Sequence, residues 1–147
     1  MNDRPTYSLL ETILRRESRS LLQYVRDAFP WTPSSEQEVL AGVHHMADEQ
    51  KRTDAALAQF LARKRHTVSH LGPYPTSFTT INYASLDYVL TCLLLEERKA
   101  IAELEKDRAP LKDEEAGEIL DRIIARKRQD LKQLEELATA HPPTAVL

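Results

Sequence analysis

Residues 85–107, SLDYVLTCLLLEERKAIAELEKD, contain the pattern that decides the fold. Steps of three and four residues along this segment collect its apolar side chains on one face, as an α-helix does. A single charged residue interrupts that face near its middle. The face comprises Leu86, Leu90, Leu93, Glu97, Ala100 and Leu104. A helix with this face packs against other helices, and it takes one carboxylate into the interior with it.

Three other segments have the same periodicity, so we predict helices at about residues 7–29, 35–65, 85–107 and 113–140. Proline cannot donate the next helical hydrogen bond, and Pro30, Pro110 and Pro142 follow three of these segments. Ser35 and Glu38 fit a capping box at the start of the second helix. The chain has only 3 glycines and no alternating strand pattern. These features predict one all-α domain over residues 1–147, built as a four-helix bundle.

The connections between the helices predict their order. Two are short and favour antiparallel neighbours, whereas residues 67–84, TVSHLGPYPTSFTTINYA, form a long one. This segment can span roughly 60 Å when extended, and a 30-residue helix is about 45 Å long. We therefore expect a crossover that lays the third helix parallel to the second, in an up-down-down-up arrangement.

Composition excludes several classes of function. Charged residues make up 29% of the chain with a net charge of -3, and the two signs are mixed, so no nucleic-acid footprint is present. Apolar runs such as Leu93–Leu95 are far shorter than the about 20 residues of a membrane-spanning helix. The N-terminal sequence lacks the pattern of a secretory signal. Cys92 is the single cysteine, so we expect no intrachain disulfide and a cytoplasmic location.

Charged residues also interrupt the apolar faces of the other three helices at mid-height. The first helix has Glu17, and the fourth has Lys127 and Asp130. The predicted inner face of the second helix is Gly42, Met46, Glu49, Thr53, Ala56 and Phe60, with Arg52 beside it. A buried charge costs several kcal/mol unless a partner or an ion compensates it. A polar layer is therefore expected inside the bundle.

This pattern resembles the ferritin-like superfamily, in which a four-helix bundle contributes one Glu from each of two helices and a Glu-x-x-His pair from each of the others. Glu17 and Glu97 match the single-Glu positions, and Glu49 matches a third carboxylate. Glu17 followed by Tyr24 is similar to the Glu and Tyr of the first ferritin helix. The resemblance implies a di-metal site at this level of the bundle.

The sequence departs from the family pattern at both histidine positions. Arg52 replaces the first histidine, and the fourth helix has Lys127-x-x-Asp130 instead of Glu-x-x-His. Guanidinium and ammonium groups have no lone pair for a metal and add positive charge where two cations would bind. We therefore expect an ion-pair network in place of the metals. It comprises Glu17, Tyr24, Glu49, Arg52, Glu97, Lys127 and Asp130.

Two alternatives remain open for these charges. A different rotation of the helices would leave several of them at the surface. A metal site of another composition, for iron, manganese or zinc, would use His44, His45, Asp48 and Glu49, because residues four apart share a helix face.

The sequence supports three functional hypotheses. The first is a non-enzymatic, metal-free scaffold or interaction protein, expected as a homodimer. Four aromatic residues either pack within the chain or form the dimer interface: Tyr74, Phe78, Tyr83 and Tyr88. The second is a metal-dependent oxidoreductase or iron-handling protein that uses Glu17, Glu49 and Glu97. The third is a small-molecule-binding bundle, which requires a cavity near Glu17 and Glu97; a packed ion-pair network is expected to leave none. No phosphate-binding loop or catalytic triad motif indicates an enzyme.

Overall fold

The computed structural model describes residues 3–28, 34–68 and 70–140 and contains no strand within them. The prediction of an all-α chain is confirmed. The α-helices are α1 (Arg4–Ser18), α2 (Leu21–Ala28), α3 (Gln37–Arg63), α4 (Leu86–Arg108) and α5 (Glu114–Ala140), with 3-10 helices at Ser34–Glu36 and Thr76–Ile81. None of the helices described is both long and apolar enough to cross a membrane.

The first predicted helix is two helices, so the prediction of one helix over residues 7–29 is wrong. The α-helix stops at Ser18, and Ser20 begins a new one, because its hydroxyl oxygen accepts a hydrogen bond from the backbone N–H of Gln23 at 3.3 Å. This is the usual role of serine at a helix N-terminus. The predicted stop at Pro30 and the turn that follows it lie outside the described residues.

The other helix bounds agree with the prediction to within a few residues, but one cap does not. The capping box of Ser35 and Glu38 is absent: α3 begins at Gln37, after a 3-10 turn, without a side-chain cap. Ser85 instead caps α4, accepting from the N–H of Tyr88 at 3.3 Å. The predicted stop of the last helix at Pro142 lies outside the described residues.

The crossover between α3 and α4 lies against α1 and α2 and is only partly extended, because a 3-10 helix occupies Thr76–Ile81. Four side-chain hydrogen bonds among the described residues join it to α1 and α2, including Arg15 to the His70 carbonyl at 3.1 Å and the Tyr74 hydroxyl to Asp27 at 2.6 Å. The guanidinium of Arg19 donates to the carbonyl of Gly72 at 2.7 Å, and the Tyr24 hydroxyl donates to the Asn82 side chain at 2.5 Å. Gly72 has a φ of 80°, which glycine adopts without steric cost.

Ion pairs between the helices show how neighbours are oriented. Residues near the C-terminal ends of α3 and α4 form ion pairs with residues near the N-terminus of α5. A residue near the middle of α4 pairs with one near the C-terminus of α5, so α5 runs antiparallel to α4. The pairs are Arg63–Glu115 at 2.6 Å, Arg108–Asp121 at 2.9 Å and Arg98–Glu135 at 3.4 Å.

The apolar core has two parts with polar side chains between them. One cluster contains Leu22, Val43, Met46, Leu90 and Leu134, and the other contains Leu10, Leu57, Phe60, Leu104 and Leu120. The buried polar residues are Glu17, Gln23, Gln50, Asp54, Glu97, Lys127 and Asp130. All but Gln23 belong to the polar layer described next.

Candidate functional site

Lys127 lies at the centre of the polar layer and is only 1% exposed. Its Nζ is 2.8 Å from Glu17 Oε2 and 3.3 Å from Glu97 Oε1. It also donates to Gln50 Oε1 at 3.1 Å. Burial by itself lowers the pKa of Lys127, but the Glu17 and Glu97 carboxylates outweigh it and raise the pKa above its ordinary value. The buried ammonium therefore remains charged.

Gln50 of α3 extends the network from Lys127 to a second residue of α5, Asp130. Its side-chain amide donates to Glu97 Oε2 at 3.1 Å and to Asp130 Oδ2 at 3.0 Å. The guanidinium of Arg126 donates to the other oxygen of Asp130 at 2.9 Å. Burial raises the pKa of Glu97, and Lys127 and Gln50 oppose that rise without cancelling it. One neutral amide thus holds two carboxylates of different helices together.

Asp54 is the exception in this layer, because no hydrogen bond or ion pair joins its carboxyl group to the other residues that the structure describes. It is only 6% exposed. Burial, and then the nearby Glu17 carboxylate, raise the pKa of Asp54 to about 8, against the opposing charge of Lys127. Asp54 is therefore mostly protonated at neutral pH.

Carboxyl groups outnumber cations in the layer. Glu17, Asp54, Glu97 and Asp130 lie near Lys127 and the partly exposed Arg126. One oxygen of Glu17, Oε1, has no hydrogen-bond donor among the described residues.

The structure brings together four of the predicted layer residues and separates the other three. Glu17, Glu97, Lys127 and Asp130 are buried. Glu49 and Arg52 do not belong to the layer: they pair with each other at the surface, where the Arg52 side chain is 72% exposed. Tyr24 is buried, but its hydroxyl bonds to Asn82 of the crossover rather than to the layer.

The error at Glu49 and Arg52 comes from the rotation of α3. The buried face of α3 is Val43, Met46, Ala47, Gln50, Asp54, Leu57, Phe60 and Leu61. The predicted face passed through Gly42, Thr53 and Ala56, small residues that do not distinguish an inner position from an outer one. Leu57 and Leu61, three and seven residues after Asp54, are the signal that could have identified Gln50 and Asp54.

The residues of the alternative metal site engage other partners. Asp48 pairs with Arg26 at 3.1 Å, and His45 Nε2 is 4.0 Å from Glu49 Oε1, which also pairs with Arg52. Burial, and then the charge of Arg26, lower the pKa of His44. Among the described residues, no three His, Cys, Asp or Glu side chains converge as metal ligands.

The donor set of the layer also does not fit the di-metal centre that the ferritin-like resemblance implies. Such a centre needs metal-binding lone pairs from every helix. Here α3 contributes the Gln50 amide and the Asp54 carboxyl group, and α5 contributes the Lys127 ammonium and the Asp130 carboxyl group. The Lys127 ammonium pairs with both Glu17 and Glu97, the two carboxylates that the resemblance would assign to the metals. Its positive charge would repel cations there.

Two pockets adjoin the layer on either side of the α1–α2 break. One, of about 540 Å³, is lined by both Glu17 and Glu97 and lies between α1 and α4. The other, of about 560 Å³, is lined by Asp54 and lies between α1–α2 and α3. The expectation that an ion-pair network leaves no cavity near Glu17 and Glu97 is therefore wrong. Two pockets of modest size therefore lie beside the buried layer.

The aromatic residues of the crossover region divide into two groups. Tyr74 and Phe78 pack on Tyr24, with ring centroids 5.3 Å and 5.8 Å away. Tyr83 and Tyr88 are exposed, as is Leu95 farther along α4. Cys92 of α4 is partly buried against the apolar core.

Comparison with known proteins adds no further constraint: no protein-family model, curated protein or solved structure matches this chain.

Proposed function

We propose that this chain is a ferritin-like four-helix bundle, with α1 and α2 together forming its first helix, that has exchanged a di-metal centre for an ion-pair layer. In this proposal it works without metal, as a non-enzymatic scaffold or interaction protein. The contact of Lys127 Nζ with Glu17 at 2.8 Å and Glu97 at 3.3 Å is the observation that carries the proposal. One ammonium then provides positive charge where metals would provide it.

Metal content tests this proposal directly. The purified chain is incubated with ferrous iron, manganese or zinc, dialysed, and assayed by elemental analysis against protein concentration. We expect no stoichiometric metal to remain. Metal that remains bound overturns the proposal, and the His45→Ala variant then shows whether it binds at the surface site of His45 and Glu49.

The proposed scaffold acts as a homodimer through the exposed side chains of Tyr88 and Leu95, which lie seven residues apart on α4, and of Tyr83, which precedes that helix. Aromatic side chains at this level of exposure are typical of interface anchors. Analytical ultracentrifugation of the wild-type chain and the Tyr88→Ser variant tests this. We expect a dimer whose dissociation constant rises in the variant, whereas a wild-type monomer at all concentrations contradicts a homodimer.

A second function, small-molecule binding, is favoured by the two pockets beside the layer. Their volumes of about 540 Å³ and 560 Å³ lie within the range of ligand sites, about 300–1,000 Å³. Buried polar groups beside apolar walls give such a site both affinity and orientation. A fragment screen by NMR tests it: we expect shifts to cluster around Ser18–Ser20, between the pockets, and a screen without hits contradicts it.

A further inference from the structure

The pocket lined by Asp54 has walls suited to an apolar molecule. It lies beneath the crossover, has a volume of about 560 Å³, and is lined by Leu14, Ala58, Val68, Leu71 and Tyr74 beside Asp54. These side chains come from α1, α3 and the crossover, so three segments surround the space. We call this space the Asp54 pocket.

Most polar groups of the Asp54 pocket already have partners. The Gln23 amide donates to the Ala47 carbonyl at 2.7 Å, and Asp27 accepts from the Tyr74 hydroxyl at 2.6 Å. Asp54, in contrast, makes no hydrogen bond or ion pair with the other residues that the structure describes, and its oxygens are not among the fully buried atoms, so they remain accessible from the pocket. A carboxyl group that is largely buried and has no hydrogen bond from the protein can accept one from a ligand in the pocket.

The charges around Asp54 favour a cationic donor. Glu17 on α1 and Glu97 on α4 are the negative groups behind it, and Lys127 on α5 is the opposing cation. The two cations on the rim are poorly placed to compete. Lys51 is exposed on α3, and Arg19 is directed to the Gly72 carbonyl and lies 5.1 Å from the centre of the Tyr74 ring.

We propose that the Asp54 pocket binds an organic ammonium ion, with Asp54 as the counter-ion and the apolar body of the ligand between α1, α3 and the crossover. This inference rests on the proposed small-molecule function and names its ligand class. The raised pKa of Asp54 agrees with it, because Lys127 does not offset burial and the Glu17 and Glu97 carboxylates, and a bound ammonium would add positive charge beside Asp54.

The pocket lined by Glu17 and Glu97 is less suited to such a ligand. Both carboxylates are already paired with Lys127. The walls of that pocket also carry Arg15, Arg16 and Lys99. An ammonium ion would meet more competing cations there than beside Asp54.

A charge series of indole compounds tests the inference. Tryptamine, tryptophol and indole-3-acetate share an aromatic body and are respectively cationic, neutral and anionic at neutral pH. Isothermal titration calorimetry with the full-length chain measures each affinity. We expect tryptamine to bind most tightly, and Asp54→Asn to weaken its binding by roughly tenfold or more, since a charge-assisted hydrogen bond is lost.

Asp48→Asn is the matched control, because it removes a carboxylate from the same helix outside the pocket lining. It should bind tryptamine as the wild type does. Asp54→Asn should fold normally, since it replaces an unpaired and mostly protonated carboxyl by an amide of similar shape; a thermal melt checks this.

The outcomes separate the inference from the function on which it rests. Equal binding of tryptamine by Asp54→Asn and the wild type overturns the inference. Tighter binding of tryptophol or indole-3-acetate overturns it as well, while leaving small-molecule binding intact. If none of the three compounds binds, the inference fails, and the fragment screen then decides whether the broader function fails with it.

Discussion

The Lys127 ammonium lies 2.8 Å from the Glu17 carboxylate, and both side chains are almost completely removed from solvent. Such a pair stabilises a fold less than its short distance implies, because both charges lose their hydration. Removing one partner alone is much more damaging, since the other charge then remains buried without compensation. This asymmetry determines how variants of the layer should behave.

Replacing Lys127 by Met should lower the free energy of unfolding by about 3 kcal/mol, because Glu17 and Glu97 lose their cation. Urea denaturation measures the change. Lys132→Met is the matched control, as Lys132 is exposed on the same helix, and it should change stability by less than about 1 kcal/mol. Equal effects of the two substitutions would contradict a structural role for the buried ammonium.

Replacing the whole ion pair should reverse most of that loss. A variant with Glu17→Leu, Glu97→Leu and Lys127→Met keeps the volume of the layer and removes its uncompensated charges, so we expect it to be about 2 kcal/mol more stable than Lys127→Met alone. Thermal unfolding compares the two. If the triple variant recovers stability, the buried charges are not needed to stabilise the fold. A role in binding then becomes the favoured explanation for them. A triple variant less stable than the single one would refute this reasoning.

Stability should fall as pH rises from about 4 to about 8 because of Asp54. The pKa of Asp54 is about 8 in the folded chain, against an ordinary value of 3.8. Between these values the unfolded chain has released the proton that the folded chain still holds, so raising the pH favours unfolding. The contribution of Asp54 is fully present below the lower value and is lost above the upper one.

Urea denaturation at several pH values, compared between the wild type and Asp54→Asn, isolates this effect. Other groups titrate over the same range, so the difference between the two slopes is the measured quantity. We expect the free energy of unfolding to decrease less steeply with pH in Asp54→Asn than in the wild type. The Asp48→Asn control should decrease as steeply as the wild type. Parallel curves for the wild type and Asp54→Asn would show that Asp54 ionises normally.

Gln50→Leu should destabilise the chain by about 2 kcal/mol, because Glu97 and Asp130 lose a shared donor while remaining buried. Gln59→Leu is the control, since Gln59 is exposed on the same helix. Chemical denaturation measures both variants. If they are equally stable, the amide of Gln50 contributes nothing to the layer.

The helices that the sequence predicted best are those with unambiguous apolar faces. The face of α4 contains four leucines, and that of α5 contains Leu120, Ile123 and Leu134, so Glu97, Lys127 and Asp130 could be assigned to the interior without a structure. The break between α1 and α2 was missed, although Ser20 followed by Gln23 has the spacing of a helix cap. Leu14, Glu17, Leu21 and Tyr24 have the spacing of one continuous helix face, so periodicity gave no sign of the break.

Periodicity along the chain therefore determined that the protein is helical and that charges from three segments lie at the same level of its interior. Tertiary structure alone decided that α3 contributes Gln50 and Asp54 rather than Glu49 and Arg52, and that two pockets reach the layer. The physical reason is that successive helical residues point about 100° apart. A rotation of α3 by about one residue exchanges its inner and outer residues, and packing against α1, α2 and α5 together sets that rotation.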